Sequence, residues 1–346
     1  MTERERADGL MTLGQSVAAS PELYPVEFDP SCGRVRLIRL REEDYRAASF
    51  LDERLLVRGA TETSIDWMEF AAAAEPIPLA CDFIFHIGHV GSTLLARLLG
   101  THERVFALRE PALLRLLATG PGDDARLETL LRLYSRTWRA PQRSLVKATS
   151  FVSQIGPAML RKAPSSRAVL MTVRAPTYIA GILGGTATRA DLPRTVPQRL
   201  ARLARRIKGG GLPAASSPGE LAAAAWITEV WALADIASAF PDRILWLDFD
   251  EFLLDPRRGL AAVLLRLLGA APSRELGPLL ASPDMNRYSK APEHPFGPGA
   301  RGAALRQSAQ VNAAEIGKGR AWLDRLAGSD SAAARIMSEK ERLPGG

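Results

Sequence analysis

One twenty-residue stretch, Cys81 to Gly100 (CDFIFHIGHVGSTLLARLLG), constrains this chain more than any other. It starts with Phe83-Ile84-Phe85-His86-Ile87, an apolar run about as long as one buried strand. Gly88 and Gly91 follow, with Ser92 and Thr93 directly behind. Leu94, Leu95, Leu98 and Leu99 then recur at helical spacing, and Gly100 stands where a helix would end. Strand, glycine turn, hydroxyl pair and helix make the layout of a phosphate cradle. The glycines let backbone N–H groups approach an anion, and the helix N-terminus adds unpaired donors and a favourable dipole. A glycine turn that merely joins a strand to a core helix is the plainer alternative, and the flanking pattern disfavours it.

The stretch is not the common P-loop, which needs Gly-x-x-x-x-Gly-Lys-Ser/Thr with the lysine on the outer phosphates. Here Gly91 runs straight into Ser92. The stretch resembles instead the donor-binding loop of the sulfotransferase family, Arg/Lys-Ser-Gly-Thr-Thr. The matching residues are His89, Val90, Gly91, Ser92 and Thr93, with histidine in the place of the cation. The resemblance extends over residues 83–323. Leu108-Arg109-Glu110-Pro111 is similar to the segment that supplies a catalytic glutamate in the tyrosine-modifying branch, and Glu110 lies 21 residues after His89, as in that branch. Val173-Arg174-Ala175-Pro176 resembles Val-Arg-Asp-Pro, whose arginine binds the donor's 3′-phosphate, although Ile182 stands where a serine of that site normally falls. Asp248-Phe249-Asp250-Glu251-Phe252-Leu253 with Asp255-Pro256 resembles the Tyr-Glu-Asp-Leu and Asp-Pro segment. Lys318-Gly319-Arg320-Ala321-Trp322 resembles the late Gly-Arg-Trp segment, where basic residues close over the donor.

The resemblance implies a donor, 3′-phosphoadenosine 5′-phosphosulfate (PAPS), and in-line transfer of its sulfuryl group to a hydroxyl or amine of a small-molecule or peptide acceptor, with no metal. The donor-binding set it implies is Gly88, His89, Val90, Gly91, Ser92, Thr93 and Leu94, with Arg174, Lys318, Gly319 and Arg320. Backbone N–H groups of residues 91–94 and the two hydroxyls would hold the 5′-phosphate and the developing charge. Glu110 would take the acceptor's proton, and Lys147 could neutralise bridging oxygens or simply pair with Glu110. His89 could serve as an imidazolium, since nearby phosphates favour the charged form, or be neutral and leave the transferase slow or inactive.

Read along the chain, residues 1–20 look frayed. Residues 22–40 suggest a hairpin turning at Asp29-Pro30-Ser31-Cys32-Gly33, and 42–57 an amphipathic helix. Strands are expected at 83–87, 104–108, 144–147, 167–173 and 243–248. Helices are expected after the glycine loop, after Pro111, over 123–138 and 153–162, up to Leu183, and over 219–239, 256–268 and 312–327. The alternation predicts a P-loop NTPase-like three-layer α/β/α fold with a mainly parallel sheet. Residues 1–80 would be a hairpin-and-helix extension, 81–328 the α/β domain and 329–346 a tail. Anion sites in such sheets lie at the carboxyl ends of the strands. Those ends offer the 88–93 loop, Glu110, Lys147, Arg174 and Asp248 with Asp250 and Glu251. Residues 189–208 read as a solvated basic helix face, 209–219 (GGGLPAASSPG) as a flexible loop that could lid the site, and 282–312 as an irregular loop. His86 reads as packed core, His102 as a helix-end residue and His294 as a loop residue.

Composition adds limits. The chain is 47% hydrophobic and 24% charged over 346 residues, which suits a globular core. Net charge +7 and a pI near 9.8 fit an anionic ligand, but the basic residues are spread out and only six of the 45 are lysine, so no nucleic-acid partner is expected. Cys32 and Cys81 cannot make a disulfide framework or a metal cluster and fit a reducing compartment. The N-terminus lacks the apolar core of a signal peptide. No run reaches the ~20 apolar residues of a membrane span, and Trp226, Glu229 and Asp235 interrupt the nearest, 222–240. A cytoplasmic protein with no membrane association is expected, and oligomeric state is unread. Two other functions share some of these features. An ATP- or GTP-dependent P-loop kinase or hydrolase would use Ile244-Leu245-Trp246-Leu247-Asp248 as its Mg²⁺-holding strand. A non-catalytic nucleotide-binding relative would account for His89, Ala175 and Ile182.

Overall fold

The computed structural model describes residues 11–58, 62–120, 123–208, 211–269, 276–287 and 297–341. The N-terminal ten residues and His294 lie outside the described residues. The chain forms two compact units, residues 1–84 with 95–167 and residues 85–94 with 168–346.

The first unit begins with α1 (Leu13–Ala19), where the sequence suggests fraying. A capping box holds it: Thr12 Oγ1 accepts the Gln15 N–H, the Gln15 side chain accepts the Thr12 N–H, and Val17 is buried. The expected hairpin is present as β1 (Leu23–Asp29) and β2 (Arg34–Arg39), with Gly33 left-handed at φ 65°. The single helix expected over 42–57 is instead α2 (Glu42–Ala47) and a 3-10 turn over Glu53–Arg58, because Ala48 leaves the helical backbone at ψ 127°. A third strand, β3 (Glu62–Asp66), completes a small antiparallel sheet in the order β1-β2-β3 and leads into α3 (Trp67–Ala74). Then follow β4 (Cys81–His86), α4 (Ser92–Gly100), β5 (Val105–Arg109), α5 (Ala112–Thr119), α6 (Asp124–Tyr134), β6 (Arg143–Lys147), a 3-10 turn over Ser150–Ile155, and α7 (Gly156–Lys162). Both β4 and β5 pair parallel with β6. Every residue of β4 and β5 is buried, as expected of strands covered on both faces.

The second unit takes up the chain from the last residues of β4 through the start of α4, then runs β7 (Ala168–Thr172), α8 (Ala175–Gly184), α9 (Thr186–Ala204), α10 (Pro218–Ala239), β8 (Ile244–Asp248), α11 (Phe249–Leu254), α12 (Pro256–Leu268), α13 (Leu276–Leu280), α14 (Pro298–Val311), α15 (Ala313–Ser329) and α16 (Ser331–Glu341). Strands β7 and β8 pair parallel. The larger sheet has five strands in the order β5-β6-β4-β7-β8, flanked by helices. The core helix of this unit is α10, apolar on nearly every side and packed against α8, α9 and α15. It is long and apolar enough to cross a membrane, but 78% of its apolar window is buried within the fold. Where α15 meets it, Gly219 and Gly319 let the backbones touch: a Cβ on Gly319 would lie 2.5 Å from the Gly219 carbonyl oxygen.

Several sequence expectations change here. The stretch 282–312 contains α14, held on α8 by the Ser308 hydroxyl donating to the Ala180 carbonyl (2.6 Å). The expected tail carries α16, capped by Asp330 accepting the Ala333 N–H (2.9 Å) and anchored by buried Ala333 and Ile336. The described part of the supposed lid, 211–217, is pinned, since Trp322 Nε1 donates to the carbonyls of Pro213 (3.2 Å) and Ala214 (3.1 Å). The basic face of α9 is partly internal. Arg199 (2.8 Å) and Arg202 (2.5 Å) both donate to the buried carboxylate of Glu229, and Arg206 pairs with Asp235.

Candidate functional site

The 88–94 cradle is built by local geometry. Ile87 continues from β4 and donates its N–H to the Met171 carbonyl (3.3 Å), after which the backbone turns left-handed at Gly88 (φ 85°), His89 (φ 56°) and Gly91 (φ 64°). Such a conformation is ordinary for glycine and strained for histidine. His86 is buried but is more than packing, because its Nδ1 accepts the Gly88 N–H at 2.9 Å and fixes where the turn begins. The Tyr178 hydroxyl reaches the Ile87 carbonyl at 3.4 Å. Helix α4 starts at Ser92, so its first N–H groups have no acceptor within the helix. Val90, Ser92, Thr93 and Leu94 are buried, Gly88 and Gly91 are half-buried, and His89 is exposed. Thr93 is 3% exposed, yet its Oγ1 has no hydrogen-bond partner. A buried hydroxyl without a partner is costly unless a ligand supplies one. The donor set is therefore main-chain amides and hydroxyls at a helix N-terminus, which fits a phosphate and involves no lysine.

Gly91 is glycine for a second reason. A Cβ there would fall closer than 3.0 Å to the ring of Phe249, the first residue of α11. The guanidinium of Arg301, on α14, lies over the same ring at 4.8 Å from its centroid and donates to Asp250 Oδ1 at 2.9 Å. Asp248, the acid of the alternative Mg²⁺ reading, accepts the N–H groups of Asp250 (2.8 Å) and Glu251 (3.2 Å) through Oδ1 as the cap of α11. Burial pushes its carboxyl above the usual range. Arg174 sits exposed at the N-cap of α8, just after Val173, whose carbonyl accepts Trp226 Nε1 at 2.9 Å. Lys318, Gly319 and Arg320 lie within α15. Lys318 donates to Glu315 at 2.6 Å, Gly319 is buried against Gly219, and Arg320 is exposed.

In the first unit the structure brings Glu110 and Lys147 together. Glu110 has left-handed backbone (φ 54°), and its N–H donates to the Lys147 carbonyl at 2.7 Å. Its Oε1 is ion-paired with Lys147 Nζ, and its Oε2 accepts the Thr149 hydroxyl at 3.3 Å. Lys147 is 1% exposed and the Glu110 side chain 12%. The pairing that was one of two sequence alternatives is thus realised, and the lysine's charge is met by the carboxylate. The neighbouring Arg109 has a structural task. Its guanidinium donates to the carbonyls of Ala48 (2.8 Å), Arg46 (3.0 Å) and Tyr45, holding the C-terminal end of α2. Pro111 then opens α5. A left-handed non-glycine residue is a strained one, so Glu110 and His89 are the two described positions where the fold bears such a conformation.

Sequence reading missed three participants. The loop contact of His86 depends on a rotamer. Arg301 lies in a stretch whose glycines and prolines hid a helix, and Phe249 gave only the Asp-Phe-Asp segment as a signal.

No protein-family model matches the chain, and no curated protein matches it. Among solved structures it is similar to the sulfotransferase domain from the curacin biosynthetic pathway, at 14% identity over 68% of this chain and 98% of that one, with a TM-score of 0.40. Mouse sulfotransferase SULT7A1 complexed with PAP gives 12% identity over 78% and 93% of the two chains, with a TM-score of 0.42. Sulfotransferase STF9 from Mycobacterium avium gives 11% over 85% and 88%, with a TM-score of 0.43. All three of these structures are sulfotransferases.

Proposed function

We propose that this protein transfers a sulfuryl group from PAPS to a hydroxyl or amine of a small-molecule or peptide acceptor. The observation that supports this most is the unpartnered, buried hydroxyl of Thr93 in the first turn of α4, directly behind a left-handed turn with the sulfotransferase-like order Gly91-Ser92-Thr93. The amides of residues 91–94 and the hydroxyls of Ser92 and Thr93 hold the donor's 5′-phosphate and meet the charge that grows on it. Arg174 grips the 3′-phosphate. Glu110 is the base: it removes the acceptor's proton, and Lys147 and Thr149 fix its carboxylate. As the acceptor's oxygen or nitrogen bonds to the donor's sulfur, the bond from that sulfur to the bridging oxygen breaks, the acceptor's proton passes to Glu110, and 3′,5′-bisphosphoadenosine leaves with the bond's electron pair. His89 stands in the place of the family's cation, at the exposed face of the turn.

Calorimetry with 3′,5′-bisphosphoadenosine (PAP) against ATP with Mg²⁺ tests the reading. Tighter PAP binding is expected, and a preference for ATP would overturn it in favour of a P-loop kinase or hydrolase. Arg174→Ala should weaken PAP by about tenfold or more, the scale of one lost charge-assisted hydrogen bond, and leave adenosine 5′-phosphosulfate nearly unchanged. Glu110→Gln should abolish turnover at unchanged PAP affinity. Equal losses for both nucleotides, or surviving turnover, would remove these two assignments.

A further inference from the structure

Arg301 carries a role that neither the motif resemblance nor the cradle assigns. It comes from α14, far along the chain, and its guanidinium stacks on Phe249 at 4.8 Å from the ring centroid. That ring is the wall against which Gly91 is pressed, close enough to exclude a Cβ. The guanidinium is therefore about one aromatic ring away from the turn of an anion cradle that lacks the usual lysine. Its present partner is a single carboxylate oxygen. Asp250 Oδ1 accepts both Arg301 Nη2 (2.9 Å) and Nε (3.3 Å), while the side chains are 14% and 32% exposed. Both donors converge on one oxygen, so the arrangement is not the parallel two-oxygen fork that a guanidinium and a carboxylate form at their best. A phosphate, with three oxygens and higher charge, can offer that fork.

We propose that Arg301 is an anion-binding residue of the cradle, parked on Asp250 across the Phe249 ring, and that a phosphate-bearing ligand takes it over from Asp250. The inference rests on the reading of the 88–94 turn as the donor's phosphate site and adds the missing cation to it. The exchange is an equilibrium between two partners for one guanidinium. The ligand shifts it by its differential affinity, and the apparent affinity is lowered by the fraction of molecules in which Asp250 holds the arginine. Phe249 serves both states, because a guanidinium can stay stacked on the ring while its N–H groups change acceptor.

The scheme makes a prediction of unusual sign: removing a carboxylate near the site strengthens ligand binding, and only while Arg301 is present. The experiment is calorimetric titration of the full chain with PAP, for wild type, Asp250→Asn, Arg301→Ala, Arg301→Lys and the Asp250→Asn/Arg301→Ala pair, each with its thermal midpoint recorded. Asp250→Asn should tighten PAP by about three- to tenfold. Arg301→Ala should weaken it by about tenfold or more, and Arg301→Lys, which keeps the charge without the fork, by less. The double variant should bind like Arg301→Ala alone. Glu251→Gln, an exposed acid one residue away, should leave affinity within about twofold. If wild type binds PAP and Asp250→Asn tightens binding equally in the Arg301→Ala background, the effect is general charge and the latch is overturned. Unchanged PAP affinity in folded Arg301→Ala and Arg301→Lys overturns it as well. A wild-type chain that does not bind PAP overturns the donor reading and this inference together, a result distinct from the first two.

Discussion

Gly91→Ala isolates the physics of the cradle, because two separate constraints meet at one Cα. The residue is left-handed at φ 64°, and a Cβ there would fall inside the Phe249 ring's contact distance. The backbone constraint alone costs an alanine roughly 1 to 2 kcal/mol, and forcing a methyl group into a filled space costs roughly 1 to 3 kcal/mol more. The ring cannot swing aside freely, since it stacks on Phe252 with centroids 6.2 Å apart and lies under Arg301. The two constraints together give a loss of roughly 2 to 5 kcal/mol, a large part of the 5 to 15 kcal/mol by which domains are usually stable. They separate experimentally. In a Phe249→Ala background the steric part disappears, so Gly91→Ala should cost only the backbone part of about 1 to 2 kcal/mol. Gly91→Asn reverses the test, because asparagine tolerates the left-handed region but keeps its Cβ. Urea unfolding followed by tryptophan fluorescence gives the free energies, with PAP titration on each folded variant. A Gly91→Ala loss below about 1 kcal/mol, or one that Phe249→Ala leaves undiminished, would refute the account of why glycine stands at this turn.

Two further outcomes follow from the second unit. Gly219→Ala places a Cβ against the Glu315 carbonyl group, a backbone neighbour that no rotamer change can relieve. It should lower stability by about 1 to 3 kcal/mol, read as a fall in thermal midpoint, whereas Gly317→Ala, midway between Glu315 and Gly319 on α15 with open space around its Cβ position, should not. The carboxyl of Glu315 is held below its usual 4.5, first by the hydrogen bond from Lys318 and then by that from the Gly219 N–H. A lowered folded value means that its contribution is complete above pH 4.5 and is lost as pH falls through the folded value. Glu315→Gln should therefore reduce the thermal midpoint at pH 7 and narrow its further fall below pH 4.5, and equal acid losses in both proteins would contradict the pairing.

The parts of this fold that sequence made legible are the parts where the physics is local. Gly88, Gly91, Ser92 and Thr93 announce a turn and a helix start by themselves, and the apolar runs on either side can only be buried strand and helix. Alternation of such runs orders the parallel strands and puts Glu110 and Lys147 at strand ends. What stayed hidden was set by tertiary contact. The Pro- and Gly-rich stretch before Asn312 hides α14, because its helix depends on seating Ser308 against Ala180. The late Lys318-Gly319-Arg320 segment looks like a basic closure in sequence, yet Gly319 is spent on approaching Gly219 and Lys318 on Glu315. The basic run of α9 looks solvated until the carboxylate of Glu229, on another helix, appears beside Arg199 and Arg202. Spacing rules register which residues share a face, and they do not register which face a second helix will claim.

The charge balance of the cradle ties these observations together. A P-loop of the common kind meets phosphate with a lysine within the loop itself. In this chain Gly91 runs straight into Ser92 without that lysine, and His89 stands where the similar sulfotransferase loop has its cation, so the loop brings amides, hydroxyls and a helix N-terminus equivalent to about half a positive charge. The proposed PAPS donor, with about two negative charges on its phosphosulfate and nearly two more on its 3′-phosphate, would need more than that from residues brought in by folding. In the second unit the proposed source is Arg301, whose guanidinium lies over the Phe249 ring. Its ion pair with Asp250 keeps a half-buried guanidinium from standing uncompensated when no anion is bound. On this view Gly91, Phe249, Asp250 and Arg301 form one device. The glycine admits the ring, the ring carries the arginine, and the carboxylate holds the charge until a stronger acceptor arrives. A loop that keeps its lysine has no need of the other three, so restoring a cation with His89→Lys should make PAP binding less dependent on Arg301, shrinking the penalty of Arg301→Ala. An undiminished penalty in that background would mean that the two cations serve different parts of the ligand.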